Sequence, residues 1–307
     1  MLPLNKGFGF LVVDQSIIKF SMKMVPVVLS KLVLCFCKKR QRMKKQNKNH
    51  GIDWNKTMKN KLVYGLLAAL AVSQAQAETT TEPSFLNSFS TSGSVALLTD
   101  YYSRGYSQNQ GNPAVQGFFR LDHTSGLYAQ LFASNIDLDI GSSLELDYYL
   151  GYDYLVNDHF RLNVQYLDVN YPGADKSIPS PDYEEYSVSA VGMGLAKEND
   201  ELNFSFYYSP EYSFQTGKEL RYELSYLYPI AENWNAYGQV GYNQFSNKDA
   251  YAVLWATDKK DAYTDYKVGG NYSYNDFTFD LYYVDSNMNK DLDNADDAVI
   301  FSITRAF

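Results

Sequence analysis

From Gly93 to Phe307 the apolar residues recur at every second position, the spacing of a β-strand with one apolar and one polar face. Leu144, Leu146, Tyr148, Leu150, Tyr152 and Tyr154 form one phase of such a stretch, and Glu145, Asp147, Tyr149, Gly151 and Asp153 form the other. The same split separates Leu202, Phe204, Phe206 and Tyr208 from Asn203, Ser205, Tyr207 and Ser209. It recurs in Leu220, Tyr222, Leu224, Tyr226 and Tyr228 against Glu219, Arg221, Glu223 and Ser225. No long stretch has helical spacing. Twelve segments are predicted, near 93–104, 114–123, 126–137, 142–156, 159–171, 183–195, 201–212, 218–230, 233–245, 262–274, 277–288 and 298–307. Most are longer than the ~5 or 6 residues usual for strands of soluble proteins.

The connections alternate in length. Short turns are expected at 123–126, 157–158, 197–200, 231–233 and 275–276, and longer polar links at 105–113, 138–141, 172–182, 213–217, 246–261 and 289–297. Tight turns on one rim and long loops on the other predict an all-β fold, a transmembrane antiparallel up-and-down β-barrel of about 12 strands. Closure follows from the solvent, because lipid offers no hydrogen bonds to backbone amides and a sheet within it must leave no edge. An even strand count brings both ends of the barrel to the same side. A secreted soluble β-sandwich is opposed by the long segments and the alternating loop lengths.

The N-terminal region reads differently. Met58-Lys-Asn-Lys, the apolar run Leu62 to Val72 and the small residues ending at Ala77 form an export signal over 58–77, with cleavage expected after Ala77. The run is shorter than the ~20 residues a membrane-spanning helix needs. Residues 1–57 are read as upstream sequence outside the true start at Met58, the alternative being a cytoplasmic extension with an inner-membrane segment. A short lead, 78–92, precedes the barrel, 93–307.

Charge sharpens the division. Residues 1–57 hold 12 Lys and Arg against Asp14 and Asp53, whereas residues 78–307 hold 13 basic and 33 acidic side chains, a net −20. Such a surface repels phosphate, so nucleic acid is excluded as a partner. Cys35 and Cys37 lie upstream, which excludes disulfides and thiolate chemistry in the barrel. Residues 78–307 carry 27 Tyr, concentrated towards segment ends as in Tyr101-Tyr102, Tyr207-Tyr208 and Tyr282-Tyr283, and these are expected to form interfacial girdles. Arg305 is the exceptional charge on the lipid phase, close enough to the end to snorkel. Phe307, with Ile303, Phe301 and Val299 on its face, resembles the assembly signal that outer-membrane proteins present to the barrel-assembly machinery.

The stretch Thr99-Asp100-Tyr101-Tyr-Ser-Arg104-Gly105-Tyr-Ser107-Gln108, followed by Pro113-Ala114-Val-Gln116-Gly117, resembles the opening of the TorF-like porins of Gram-negative bacteria. There a Thr-Asp-Tyr core leads to an Arg-Gly turn, a Ser-Gln pair and Pro-Ala-x-Gln-Gly. Ser134-Asn135-Ile-Asp137 and Leu144-Glu145-Leu-Asp147 are also similar to family elements. The resemblance implies an exported outer-membrane barrel with a channel role and supplies no substrate.

If the apolar phase faces lipid, the other phase lines the lumen. Its acids are Asp100, Asp122, Glu145, Asp147, Asp153, Glu185, Glu219, Glu223, Asp265 and Asp280, and its bases are Arg104, Arg120, Arg161, Arg221 and Lys267. An acidic interior predicts a weak preference for cations or neutral solutes, reinforced by acidic loops such as Asp291 to Asp297. A channel for acidic oligosaccharides would want arginines instead. The competing arrangement fills a narrow lumen with pairs, Asp100 with Arg104, or Arg221 with Glu219 and Glu223. Twelve strands lie between packed small barrels and the wide pores of about 16 to 18 strands.

No enzyme chemistry is expected, because His123 and His159 fall at short turns and the pair Glu145 and Asp147 follows from alternation alone. The run Asp285, Asn287, Asn289, Asp291 and Asp293 has calcium-like spacing but lacks the central Gly and closing Glu of a calcium loop, so neither a metal nor a cofactor is expected. The function expected is an outer-membrane porin for passive diffusion of small hydrophilic solutes. The alternative is a closed barrel with a structural or adhesive role. Partners would be outer-membrane lipid, the assembly machinery and the solutes, with oligomeric state left open.

Overall fold

A computed structural model describes residues 88–255, 261–290, 292 and 294–307; the expected upstream segment and export signal lie outside the described residues. The strands are β1 (Phe89–Leu98), β2 (Tyr102–Ser103), β3 (Tyr106–Ser107), β4 (Ala114–His123), β5 (Leu127–Asn135), β6 (Leu144–Asn157) and β7 (Phe160–Asn170). They continue with β8 (Tyr183–Met193), β9 (Glu201–Ser209), β10 (Glu219–Ala231), β11 (Trp234–Phe245), β12 (Ala262–Tyr274), β13 (Phe277–Ser286) and β14 (Ala298–Ala306). β1 and β4 to β14 form a closed antiparallel barrel of twelve strands, each paired with its neighbours in sequence, and β1 closes on β14. The seam runs on past the strand ends: Gly93 and Phe307 exchange both backbone hydrogen bonds at 3.0 Å, and Thr99 N–H donates to the Phe301 carbonyl at 2.9 Å.

Alternation sets the two faces. Leu97, Phe119, Leu131, Tyr148, Leu150, Val188, Phe204, Leu224, Val268 and Leu281 point outward and are exposed, while Glu145, Asp147, Glu185, Ser205, Glu219, Arg221 and Asp265 point inward and are buried. This inverts the pattern of a water-soluble protein, whose apolar side chains are mostly inside. An apolar outer surface around a polar interior is the arrangement a barrel needs in lipid.

The two rims differ as their lengths predict. Short turns include 232–233 and 275–276, where Asn233 and Asn275 adopt φ of 64° and 52°, a left-handed conformation that asparagine tolerates well. On the other rim the long loops pack into two apolar clusters. One holds Ile136, Ile140, Leu167, Val169 and Tyr171; the other holds Phe245, Tyr251, Tyr263, Met288 and Ala295.

Three expectations need correction. The first strand ends at Leu98 rather than near 104, and the chain leaves the wall to form the β2–β3 hairpin. Period two cannot tell a strand that stays in the wall from one that turns inward. The link 246–261 carries a short helix, α1 (Lys248–Trp255), where an irregular loop is expected. Asn247 caps it by accepting the Ala250 N–H at 3.2 Å, and Tyr251 anchors it by stacking on Phe245 with ring centroids 4.7 Å apart. Finally, several tyrosines expected in an interfacial girdle face inward, including Tyr101, Tyr207 and Tyr282, because they meet charged groups of the lumen.

Candidate functional site

The Arg-Gly pair forms the tip of the β2–β3 hairpin. Arg104 and Gly105 adopt φ of 51° and 78°, so both central residues are left-handed, as in a tight type I′ turn. For Arg104 this is a strained conformation costing about 1 to 3 kcal/mol, held by what the side chain meets. Its Nη1 donates to Glu219 Oε1 and Oε2 at 2.5 and 2.6 Å, and its Nη2 donates to Glu185 Oε2 at 2.5 Å. The guanidinium also lies 5.7 and 5.3 Å from the ring centroids of Tyr207 and Tyr212. Both carboxylates belong to strands on the far side of the barrel order from β1, so the hairpin crosses the lumen and is pinned to the opposite wall. Gly105 itself packs closely against β12 and β13, where a Cβ would lie 2.7 Å from Ser286 Cβ and 2.9 Å from Asp265 Cβ.

The expected pair Asp100 with Arg104 is not formed. Asp100 instead folds the base of the hairpin, accepting from the Ser107 hydroxyl at 3.0 and 2.9 Å and from the Tyr101 N–H at 2.8 Å. Gln108 N–H donates to the Tyr101 carbonyl at 2.7 Å, and Asn109 donates to the carbonyls of Asn112 and Pro113 at 3.0 and 2.8 Å. Thr99 accepts the Phe301 N–H through its hydroxyl at 3.0 Å. Thr99 to Pro113 is therefore one structural unit, which Ala114, Gln116 and Gly117 return to the wall in β4.

Arg221 is the centre of a second network. It reaches Asp265 at 2.6 Å, Glu223 at 2.7 Å and the Asn243 side-chain carbonyl at 2.7 Å, not Glu219, whose carboxylate is taken by Arg104. Gln239 donates to Glu223 at 2.8 Å. The guanidinium lies over Gly241, where a Cβ would come within 2.3 Å of it. Sequence reasoning missed Asn243, Gln239 and Gly241. All three share the inward phase of β11, which was the available signal.

Nearer the short turns the interior is more open. Arg120 bridges Asp122 and Asp153 at 2.8 and 2.7 Å and lies 3.6 Å from the centre of the Tyr128 ring. Lys267 sits between the rings of Tyr237 and Tyr282 at 5.6 and 5.3 Å, and the Tyr237 hydroxyl donates to both Asp280 oxygens at 3.0 and 2.9 Å. Arg161 pairs in register with Leu155 and Val191. The histidines lie at the turns: His123 Nδ1 is 2.8 Å from the Ser125 hydroxyl, and His159 Nδ1 is 3.0 Å from the Met193 carbonyl. In the 193–201 turn, Asp200 accepts N–H bonds from Leu195, Ala196 and Lys197 at 2.7, 2.9 and 3.0 Å and the Tyr226 hydroxyl at 2.7 Å. Burial pushes its carboxyl up, but the Tyr226 hydroxyl and these N–H groups outweigh it and hold the pKa down to about 2.

Between the hairpin and the barrel wall lies a cavity of about 600 Å³, bordered on the β6 to β8 side by Tyr149, Tyr171 and Tyr183 and extending to Tyr207, Arg221 and Tyr263 of β9, β10 and β12. Glu145 and Asp147 open onto it, each 4% exposed. The Tyr101 hydroxyl donates to Glu145 at 2.8 Å and the Tyr149 hydroxyl to Asp147 Oδ2 at 3.2 Å, while Asp147 Oδ1 has no partner. Among the described residues no group of three His, Cys, Asp or Glu is placed to hold a metal. Asp285 of the calcium-like run pairs with Lys290 and accepts the Tyr266 hydroxyl at 2.7 Å, and Asp291 and Asp293 lie outside the described residues.

These features define a closed twelve-stranded antiparallel barrel with an apolar outside, a charged inside and one hairpin across its lumen. Over residues 80–307 the chain matches a family described as bacterial proteins of unknown function, Gcw_chp, and it belongs to that family. Among solved structures it is similar to a KdgM porin in complex with disordered oligogalacturonate, at 7% identity and TM-score 0.44, covering 71% of this chain and 98% of that one. It is also similar to the NanC porin, at 12% identity and TM-score 0.47 over 71% and 99% of the two chains. LpxR from Salmonella typhimurium is similar at 9% identity and TM-score 0.41 over 70% and 99%. No curated protein matches.

Proposed function

We propose that this protein is an outer-membrane channel of the TorF-like porin type, giving passive diffusion to small hydrophilic solutes with a weak preference for cations or neutral molecules. The observation that carries the reading is the inside-out arrangement of a closed barrel, with apolar side chains outward at every second position and charge inward. Export by the 58–77 signal and insertion through the terminal strand ending in Phe307 complete the reading. The hairpin narrows the path, so conductance depends on Arg104. The test is single-channel recording in a planar bilayer under a salt gradient. Small steady steps with a cation-directed reversal potential, enlarged by Arg104→Ala, are expected.

A second reading, a closed barrel with a structural or adhesive role, is favoured by the pinning of Arg104 to two carboxylates and by the packed long loops. Electrical silence from folded protein and from the Arg104→Ala variant would select it.

A further inference from the structure

The buried charges around the cavity do not balance. Arg104 is engaged by Glu185 and Glu219, and Arg221 by Asp265 and Glu223. Glu145 and Asp147 are left on adjacent inward positions of β6 with only phenolic hydroxyls for partners, and Asp147 Oδ1 lacks even that. Buried carboxylates demand a proton or a cation. The space beside them is about 600 Å³, within the range of small-molecule pockets; Tyr101, Tyr149, Tyr171 and Tyr183 are among the tyrosines that line it, and the two arginines that also line it, Arg104 and Arg221, are each held by two other carboxylates. A hard divalent ion would want about six to eight oxygen ligands, and the two carboxylates have no third acid placed to join them among the described residues. An ammonium or guanidinium group suits the site better. Its N–H groups would donate to the orphaned oxygen, its charge would answer both carboxylates, and tyrosine faces attract organic cations.

We infer that this cavity is a binding site for a small organic cation bearing N–H donors, with Glu145 and Asp147 as its anionic anchors and the surrounding tyrosines as its walls. The inference goes beyond the channel reading and does not depend on it. Isothermal titration of the full chain purified in detergent, with putrescine as the probe and 1,4-butanediol as its neutral counterpart, tests it. Putrescine binds and butanediol does not. Asp147→Asn and Glu145→Gln each weaken putrescine at least tenfold, while Asp122→Asn near the short turns leaves it unchanged. Circular dichroism and heat-dependent electrophoretic mobility establish that each variant is folded. No heat from putrescine with folded wild-type protein overturns the site, as does equal binding of butanediol or unchanged binding in the folded Asp147→Asn and Glu145→Gln variants. Conductance separates the two ideas: current without putrescine binding removes the site alone, and binding without current removes the channel alone.

Discussion

Near the long loops, the side chains of Arg104 and Arg221 are 13% and 2% exposed, and their carboxylate partners lie between 0% and 14%. Near the short turns, Arg120 is 23% exposed and its partners Asp122 and Asp153 are 35% and 30% exposed. Both regions pair arginine with acid, yet the pairs differ in kind. In the first, water is excluded by the hairpin and the loop clusters, so each charge depends on its partner, and removing one strands the other. In the second, water shares the solvation and the pairs are weak individually. The same side-chain chemistry therefore serves as a fixed latch at one end and as a hydrated lining at the other.

The largest expected effect breaks the latch. Arg104→Ala leaves Glu185 and Glu219 buried without their cation and should destabilise by about 3 to 5 kcal/mol, read by urea unfolding in lipid vesicles. A loss below 1 kcal/mol would mean that the hairpin end is as hydrated as the other. Next, Phe204→Arg on the outer face should cost about 2 to 4 kcal/mol in the same assay if that face meets lipid near the midplane. Gly105→Val tests the close approach of the hairpin tip; with Ser286 and Asp265 in the way, overpacking of about 1 to 3 kcal/mol and a more open lumen are expected. Arg120→Ala should cost only about 0.2 to 1 kcal/mol, and more salt should shrink even that difference. The smallest effect concerns the 193–201 turn. Because the Asp200 carboxyl titrates below its ordinary value, it contributes stability at and above about pH 4 that is lost as pH falls towards 2. Amide exchange of Leu195, Ala196 and Lys197 should therefore accelerate in that window, while a pH-independent rate would remove Asp200 from the account.

Much of the fold was legible because period two is a geometric property of strands. A slip of one residue would turn Phe204 inward and Ser205 outward, so the pattern that puts Glu145, Glu219 and Asp265 inside also assigns the register. The turn at Asn275-Asp276 was legible from its residues. The lumen charges were identified and so was the pair Arg221 with Glu223, but the other partners were not: Arg104 finds Glu185 and Glu219, which lie 81 and 115 residues away. The helix in the 246–261 link escaped notice because its capping residue, Asn247, also reads as an ordinary loop residue.

By itself, the sequence determined the strand number, the faces, the alternating rims and the acidity of the interior, because each follows from local spacing and composition. Tertiary structure decided which way the 99–113 segment turns and which acids share an arginine, leaving Glu145 and Asp147 with none. Closing the barrel brings residues distant in sequence within hydrogen-bonding reach. There the strength of each pairing depends on how much water the hairpin and loops exclude, a quantity that spacing along a chain does not encode.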